Sequence, residues 1–190
     1  EVDEVGGMGD MVWSWDRSKY LQAFDDVKHL IQNGDVYELN LCMPLKGKAS
    51  SNASWPLFCR LQNLTQAPFS GYLQCRSARI MSGSPERFLK REGDRLMSQP
   101  IKGTVRRGRS AEEDNALIDA LQSSEKERAE NVMIVDLVRN DLSRIAQKAT
   151  VEVTELCGIH SFETVHQMVS TIECRLDKDK GLSDILRATF

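Results

Sequence analysis

PFSGYLQCRSARIMSGSPERFLKREGDRLMSQPIKGT, residues 68–104, decides the fold class. Its segments GYLQCR, ARIMSG, RFLKR and RLMSQPIKGT are each of strand length, and the charged triplet Glu92-Gly93-Asp94 supplies the tight turn that a hairpin requires. Strands that follow one another with no helix between them favour antiparallel pairing over βαβ units.

Upstream, the first ten residues are Gly-rich, so residues 1–19 are expected to form an irregular lead-in. Asp16 or Ser18 is placed to cap a helix in which Leu21, Phe24, Lys28 and Ile31 trace one face, and Asn33-Gly34 stops it. VYELNLCMPL (36–45) sets Tyr37, Leu39, Leu41, Met43 and Leu45 against Glu38, Asn40, Cys42 and Pro44. That period of two predicts a strand with Glu38 on its polar face. Ser54 then precedes the short helix WPLFCRLQNL, with Pro56 tolerated in the first turn.

Downstream, Ser110 with Glu113 and Ser124 with Glu127 make two capping boxes, which predict helices over 110–122 and 124–147. TVEVTEL and TVHQMVSTIECRL read as two more strands, and Ser183-Asp184 opens a last helix. Strands and helices therefore come in blocks. The expected class is α+β, with antiparallel β-sheets packed as a sandwich and helices outside. No repeat or low-complexity linker divides the chain, so residues 20–190 read as one unit.

Hydrophobic residues make up 41% of the chain, enough for a core and against disorder. A net charge of -3 argues against a nucleic-acid binder, which needs clustered cations for phosphate. The short run Arg106-Arg107-Gly108-Arg109 reads as a solvated loop. The five cysteines stand singly with no metal-binding spacing, which fits reduced thiols in a cytoplasmic protein. No run approaches the about 18 apolar residues that span a membrane.

Taken singly, the candidate site residues are ambiguous. Lys102 lies between Ile101 and Gly103 near a strand end, where it is either a solvated charge or a nucleophile that needs a lowered pKa. Gly103 allows a ligand close to the backbone. Glu86, fixed by the preceding Pro85, is either a surface carboxylate or a proton carrier. Glu127 and Glu130 are helical neighbours able to hold a hard cation such as Mg2+, or to form surface salt bridges, and Glu127 is also explained by its capping box. His166 falls on the strand face of Met168 and Ser170, as a packed side chain would.

In order, the segments GDVYELNLC (34–42), SGSPERFL (82–89), PIKGT (100–104), AENVMIVDLVRNDL (129–142) and TVHQMVSTI (164–172) resemble the chorismate-utilising enzymes in sequence and spacing. The resemblance runs from about Tyr20 to Phe190 and implies the fold of that family. Anthranilate synthases usually read PIAGT where this chain reads PIKGT, and the lysine-bearing form marks the branch that aminates chorismate at C4.

That resemblance implies that Lys102 attacks C2 of chorismate while the C4 hydroxyl leaves, giving 4-amino-4-deoxychorismate for para-aminobenzoate and folate synthesis. It further implies Glu86 as the acid/base, Glu130 and Glu127 as Mg2+ ligands, and Gly103, Thr104, His166 and Glu38 as substrate contacts. Relatives that form isochorismate or salicylate have Lys at the position of Glu38, and the aminating relatives commonly have Gln, so Glu38 departs from both. No glutaminase motif occurs, so a partner glutamine amidotransferase is expected to supply ammonia. The resemblance also implies that the family's N-terminal subdomain and C-terminal third are absent and that the chain alone does not turn over. Anthranilate synthase component I and a non-catalytic fragment of the fold are the alternatives.

Overall fold

The computed structural model describes residues 10–48 and 53–190. It divides into two compact units, Glu1–Leu64 with Tyr72–Met81 and Thr65–Gly71 with Ser82–Phe190. The sequence reading expected one unit. The chain passes between the units at the end of a helix and within two strands, so no composition shift marks the boundary.

In the first unit α1 (Arg17–Asn33) starts where the sequence places it, with the Asp16 carboxylate accepting from Lys19 N–H at 2.8 Å. α2 (Ser54–Thr65) likewise follows its serine. Its Trp55 and Phe58 pack on Tyr72 with ring centroids 5.2 and 5.6 Å away, and Ser54 Oγ lies 3.0 Å from the Tyr72 hydroxyl. The strand expected over 36–45 does not form. Only β2 (Leu45–Lys46) pairs, antiparallel to β1 (Val12–Trp13). Tyr37, assigned to the apolar face, is 82% exposed. Alternation selects faces, but a strand also needs a neighbour to take its N–H and C=O groups.

β3 (Phe69–Gln74) and β4 (Arg79–Ser84) form a hairpin, and the second unit continues from it. A five-stranded sheet is built around β9 (Val165–Arg175). β8 (Glu152–Ser161) pairs along one edge of β9. Along the other edge run β6 (Arg95–Gln99) and then β7 (Ile101–Arg106), with β5 (Arg87–Glu92) outside β6. The break between β6 and β7 is Pro100, which has no N–H to give. Its carbonyl still accepts from Ser170 N–H at 3.1 Å, so the two strands remain in line along β9. The pairings of β1 with β2, of β5 with β6, and of β6, β7 and β8 with β9 are antiparallel, as the sequence predicts.

α3 (Ala111–Ser123), α4 (Glu125–Ser143) and α5 (Leu182–Thr189) complete this unit. α3 and α4 begin at the expected caps, with Ser110 Oγ accepting from Glu113 N–H and Ser124 Oγ from Glu127 N–H. α4 ends at Ser143, short of the expected 147. Ile145 turns into the core, and Ala146 forms a bridge with Leu176 instead of a further helical turn. The core joins Leu96, Val135, Leu142, Ile145, Ile172, Leu176 and Ile185. Each fully buried aliphatic side chain contributes about 1.5–3 kcal/mol.

A buried polar group fixes α4 on this core. Asn131 Oδ1 accepts from Ser170 Oγ–H, and Asn131 Nδ2 donates to Met168 O at 3.3 Å. Ser170 Oγ in turn accepts from Cys157 N–H at 2.9 Å. With its partners in place, a buried amide specifies one seating of the helix. All five cysteines are free, and no helix among the described residues is long and apolar enough to cross a membrane.

Candidate active site

β7 carries the candidate nucleophile on an irregularity. Ile101 pairs with Val169 and Thr104 with Gln167, so three steps on β7 match two on β9. Lys102 and Gly103 together oppose Met168, which is a β-bulge and takes Lys102 out of the simple alternation. Lys102 is half-buried. Gly103 has φ +88°, and a Cβ there would lie 3.0 Å from Leu121 Cδ1 and 3.1 Å from both Cβ and Oε2 of Glu127. The Glu127 side chain therefore rests against the backbone next to Lys102.

Glu86 approaches from the other side. Its carboxylate accepts from Ile101 N–H at 2.8 Å, one residue before Lys102. Ser84 Oγ holds its backbone, accepting from Glu86 N–H at 3.3 Å and donating to Glu86 O at 3.1 Å. Two carboxylates thus flank the bulge, one at Ile101 and one at Gly103.

Glu130 lies one turn beyond Glu127 on α4. Lys126 Nζ is 3.5 Å from an oxygen of each, so both carboxylates converge on a single cation. Glu127, and then Glu130, raise the pKa of Lys126. The pair fits the donor set of Mg2+, which takes one or two protein carboxylates and completes its shell with water or substrate oxygens. Among the described residues no group of three or more metal-binding side chains gathers.

His166 is not placed with them. It is 0% exposed, with Nδ1 2.8 Å from Ser161 Oγ and Nε2 2.9 Å from Asp114 Oδ1. It shares the helix-facing side of β9 with Met168 and Ser170, as the alternation predicts. Asp114 is the centre of this cluster. It also accepts from Arg107 Nε and Nη2 at 3.0 and 2.7 Å and from Gly108 N–H at 2.6 Å. The run 106–109, read as a solvated loop, is therefore tied to the first turn of α3. Its partners, Glu113 and Asp114, lie seven residues ahead and meet it only when β7 and α3 fold together.

The Arg107 guanidinium, the Gly108 N–H and His166 hold the Asp114 carboxyl well below the carboxylate range. A depressed folded-state pKa gives stability that is present above the ordinary value of 3.8 and lost as pH falls through the folded value. Asp114→Asn is expected to melt below the parent at pH 7, with the gap narrowing steadily once pH drops below about 4. Thermal unfolding of both proteins from pH 7 to 2.5 checks this. A gap that does not change with pH would mean that the charge on Asp114 is not what holds the cluster.

Glu38 belongs to the first unit, where it is exposed and lies in no strand. The alternation argument for its ligand-facing side therefore lapses. Gln167 was missed by the sequence reading. It is 7% exposed, stands opposite Thr104 on β7 and His160 on β8, and its Oε1 has no hydrogen-bond partner. The signal was present: if His166, Met168 and Ser170 take one face, Gln167 takes the face of Thr104.

Comparison with known proteins adds a family to this geometry. Residues 4–190 match the family described as chorismate binding enzyme. The chain is 39% identical over 174 residues to aminodeoxychorismate synthase component 1 of Escherichia coli (strain K12), covering 92% of this chain and 38% of that protein. It is 36% identical over 171 residues to the same-named protein of Bacillus subtilis (strain 168), covering 90% and 36%. The crystal structure of anthranilate synthase component I from Streptococcus pneumoniae TIGR4 superposes with a TM-score of 0.82 at 27% identity, covering 96% of this chain and 40% of that one. The chain thus spans well under half the length of these relatives.

Proposed function

The chain belongs to the family of chorismate binding enzymes, and from that premise we propose that it is part of an enzyme that aminates chorismate at C4 through a covalent adduct on Lys102. The observation that carries this reading is the bulge at Lys102–Gly103, flanked by the carboxylates of Glu86 and Glu127. The names of the similar proteins from Escherichia coli and Bacillus subtilis support the choice of branch.

In this reading the Lys102 amine attacks ring C2, both double bonds of the conjugated ring diene shift, and the C4–O bond breaks. Glu86 delivers a proton to the departing hydroxyl, which leaves as water. Ammonia then adds at C4, both double bonds shift back, and the C2–N bond to Lys102 breaks, returning the electron pair to the amine while the new C4 ammonium gives a proton back to Glu86. One difficult displacement becomes two easier ones. The net change is chorismate plus ammonia to 4-amino-4-deoxychorismate plus water. Glu127 and Glu130 would hold Mg2+, whose chemistry when bound is to offset the charge of the substrate carboxylate. Gly103 and Thr104 contact the substrate, and Gln167 offers its unpaired carbonyl on the face of Thr104. His166 supports β9 from behind. A glutamine amidotransferase subunit supplies the ammonia, consistent with the "component 1" in the relatives' names.

The similarity to anthranilate synthase component I favours a second reading, in which the same site releases pyruvate. Incubating the protein at its full natural length with chorismate, Mg2+ and ammonia separates the two. 4-Amino-4-deoxychorismate is the expected product. Anthranilate with pyruvate would replace the first reading by the second, and no consumption of chorismate would leave a non-catalytic member of the fold.

A further inference from the structure

Glu86 is exposed, so packing does not fix its side chain. Its place next to Lys102 depends on the Ile101 N–H and on where the backbone of residues 86 and 87 lies. That backbone is held from one side by the next residue. Arg87 Nε donates to Gln99 Oε1 at 2.8 Å, and its guanidinium carbon lies 4.5 Å from the centroid of the Phe69 ring. Glu86 and Arg87 therefore straddle Pro100, with Arg87 gripping residue 99 and Glu86 gripping residue 101. The proline ring restricts rotation between the two grips.

The register of β5 against β6 is irregular between Arg87 and Lys90, so the backbone ladder is interrupted just beyond this point. The side-chain contact from Arg87 to Gln99 sits on the last paired position before that interruption and reinforces it. Gln99 is itself held: its Nε2 donates to Thr171 Oγ1 at 3.1 Å, and Thr171 Oγ1 donates to Glu155 Oε2 at 3.3 Å. With the amide nitrogen committed to Thr171, the carbonyl end is fixed toward Arg87.

We propose that Gln99 is a positioning residue for Glu86, acting through Arg87 to keep the Glu86 carboxylate on Ile101 N–H and beside Lys102. The proposal builds on the reading of Glu86 as the proton carrier. Two readouts separate it from that reading, one of which needs no substrate.

The protein at its full natural length is compared with Gln99→Met, Gln99→Glu and Thr171→Val. Gln99→Met removes the acceptor for Arg87, Gln99→Glu keeps it, and Thr171→Val keeps it but frees the amide nitrogen whose contact aims it. In Gln99→Met the Ile101 amide should exchange its hydrogen about tenfold faster, while the buried helical amides of Val135 and Leu142 keep their rates. Its kcat with chorismate and ammonia should fall about 10- to 100-fold, with KM within twofold, as expected for a misplaced group in the reacting constellation. Gln99→Glu should recover both readouts, and Thr171→Val should fall between the parent and Gln99→Met. Unchanged Ile101 exchange in Gln99→Met overturns the proposal, as does an equal loss in Gln99→Glu or faster exchange at Val135 and Leu142 as well. If the parent consumes no chorismate but Ile101 exchange still responds, the clamp stands and the assigned reaction falls.

Discussion

Lys102→Ala should abolish amination by the full-length protein supplied with ammonia, lowering kcat by about three orders of magnitude or more, because the step that the amine opens has no substitute in the chain. At 1.36 kcal/mol per tenfold, that is roughly 4 kcal/mol of lost transition-state stabilisation. The substitution should leave the fold intact, since the bulge is made by the backbone at Gly103 and Lys102 is only half-buried. Lys102→Arg separates charge from nucleophilicity. A guanidinium keeps the positive charge at position 102 but does not deprotonate, so it should be as inactive as alanine. Mass spectrometry of a stalled parent reaction should find Lys102 heavier by chorismate less water, and neither variant should show that species. Turnover of Lys102→Ala within tenfold of the parent would mean that ammonia attacks chorismate directly and that Lys102 is not the nucleophile.

What the sequence made legible was what nearest neighbours along the chain decide. Asp16, Ser110 and Ser124 each cap a helix within three residues, and the hairpin at Gly93 turns where the charges sit. What escaped depended on partners distant in sequence. Residues 36–45 have the pattern of a strand, but among the described residues only β1 pairs with their end. α4 stops early because Leu176 offers Ala146 a bridge. Arg107 looked solvated until Asp114 folded over it.

The site divides the same way. Glu86 reaches Ile101, next to Lys102, because the β5–β6 hairpin turns the chain back and β7 continues past Pro100. Glu127 was read as half of a capping box. The structure keeps the Ser124 half and turns the carboxylate toward Gly103 and Lys126. His166 was placed on the correct face of its strand, and that face is the packed one. Sequence resemblance carried its role across without registering that both ring nitrogens are already engaged.

Gly103→Ala should damage stability and activity together, and Gly93→Ala shows why the two losses have different origins. Both glycines have positive φ, +88° and +63°, so alanine at either position takes on left-handed backbone strain of about 1–2 kcal/mol. Around Gly93 nothing lies within 4 Å of the added methyl, so strain is the whole cost there. At Gly103 the methyl meets Leu121 at 3.0 Å and Glu127 at 3.1 Å. Leu121 is buried with Cys157 and Met168 and has nowhere to retreat, whereas Glu127 is partly exposed and can swing outward. The added clash should raise the total cost to roughly 2–4 kcal/mol, the crowding part being typical of an overpacked site. It should also move the Glu127 carboxylate off the backbone beside Lys102. Denaturant unfolding is expected to rank the parent above Gly93→Ala and Gly93→Ala above Gly103→Ala. Activity should survive in Gly93→Ala and fall at least tenfold in Gly103→Ala, with a higher Mg2+ concentration needed for half-maximal rate. If the two variants lose the same stability and keep the same activity, the close approach of Glu127 to the bulge has no part in the chemistry, and Glu130 alone would remain on α4 as the carboxylate to pair with Glu86 around Lys102.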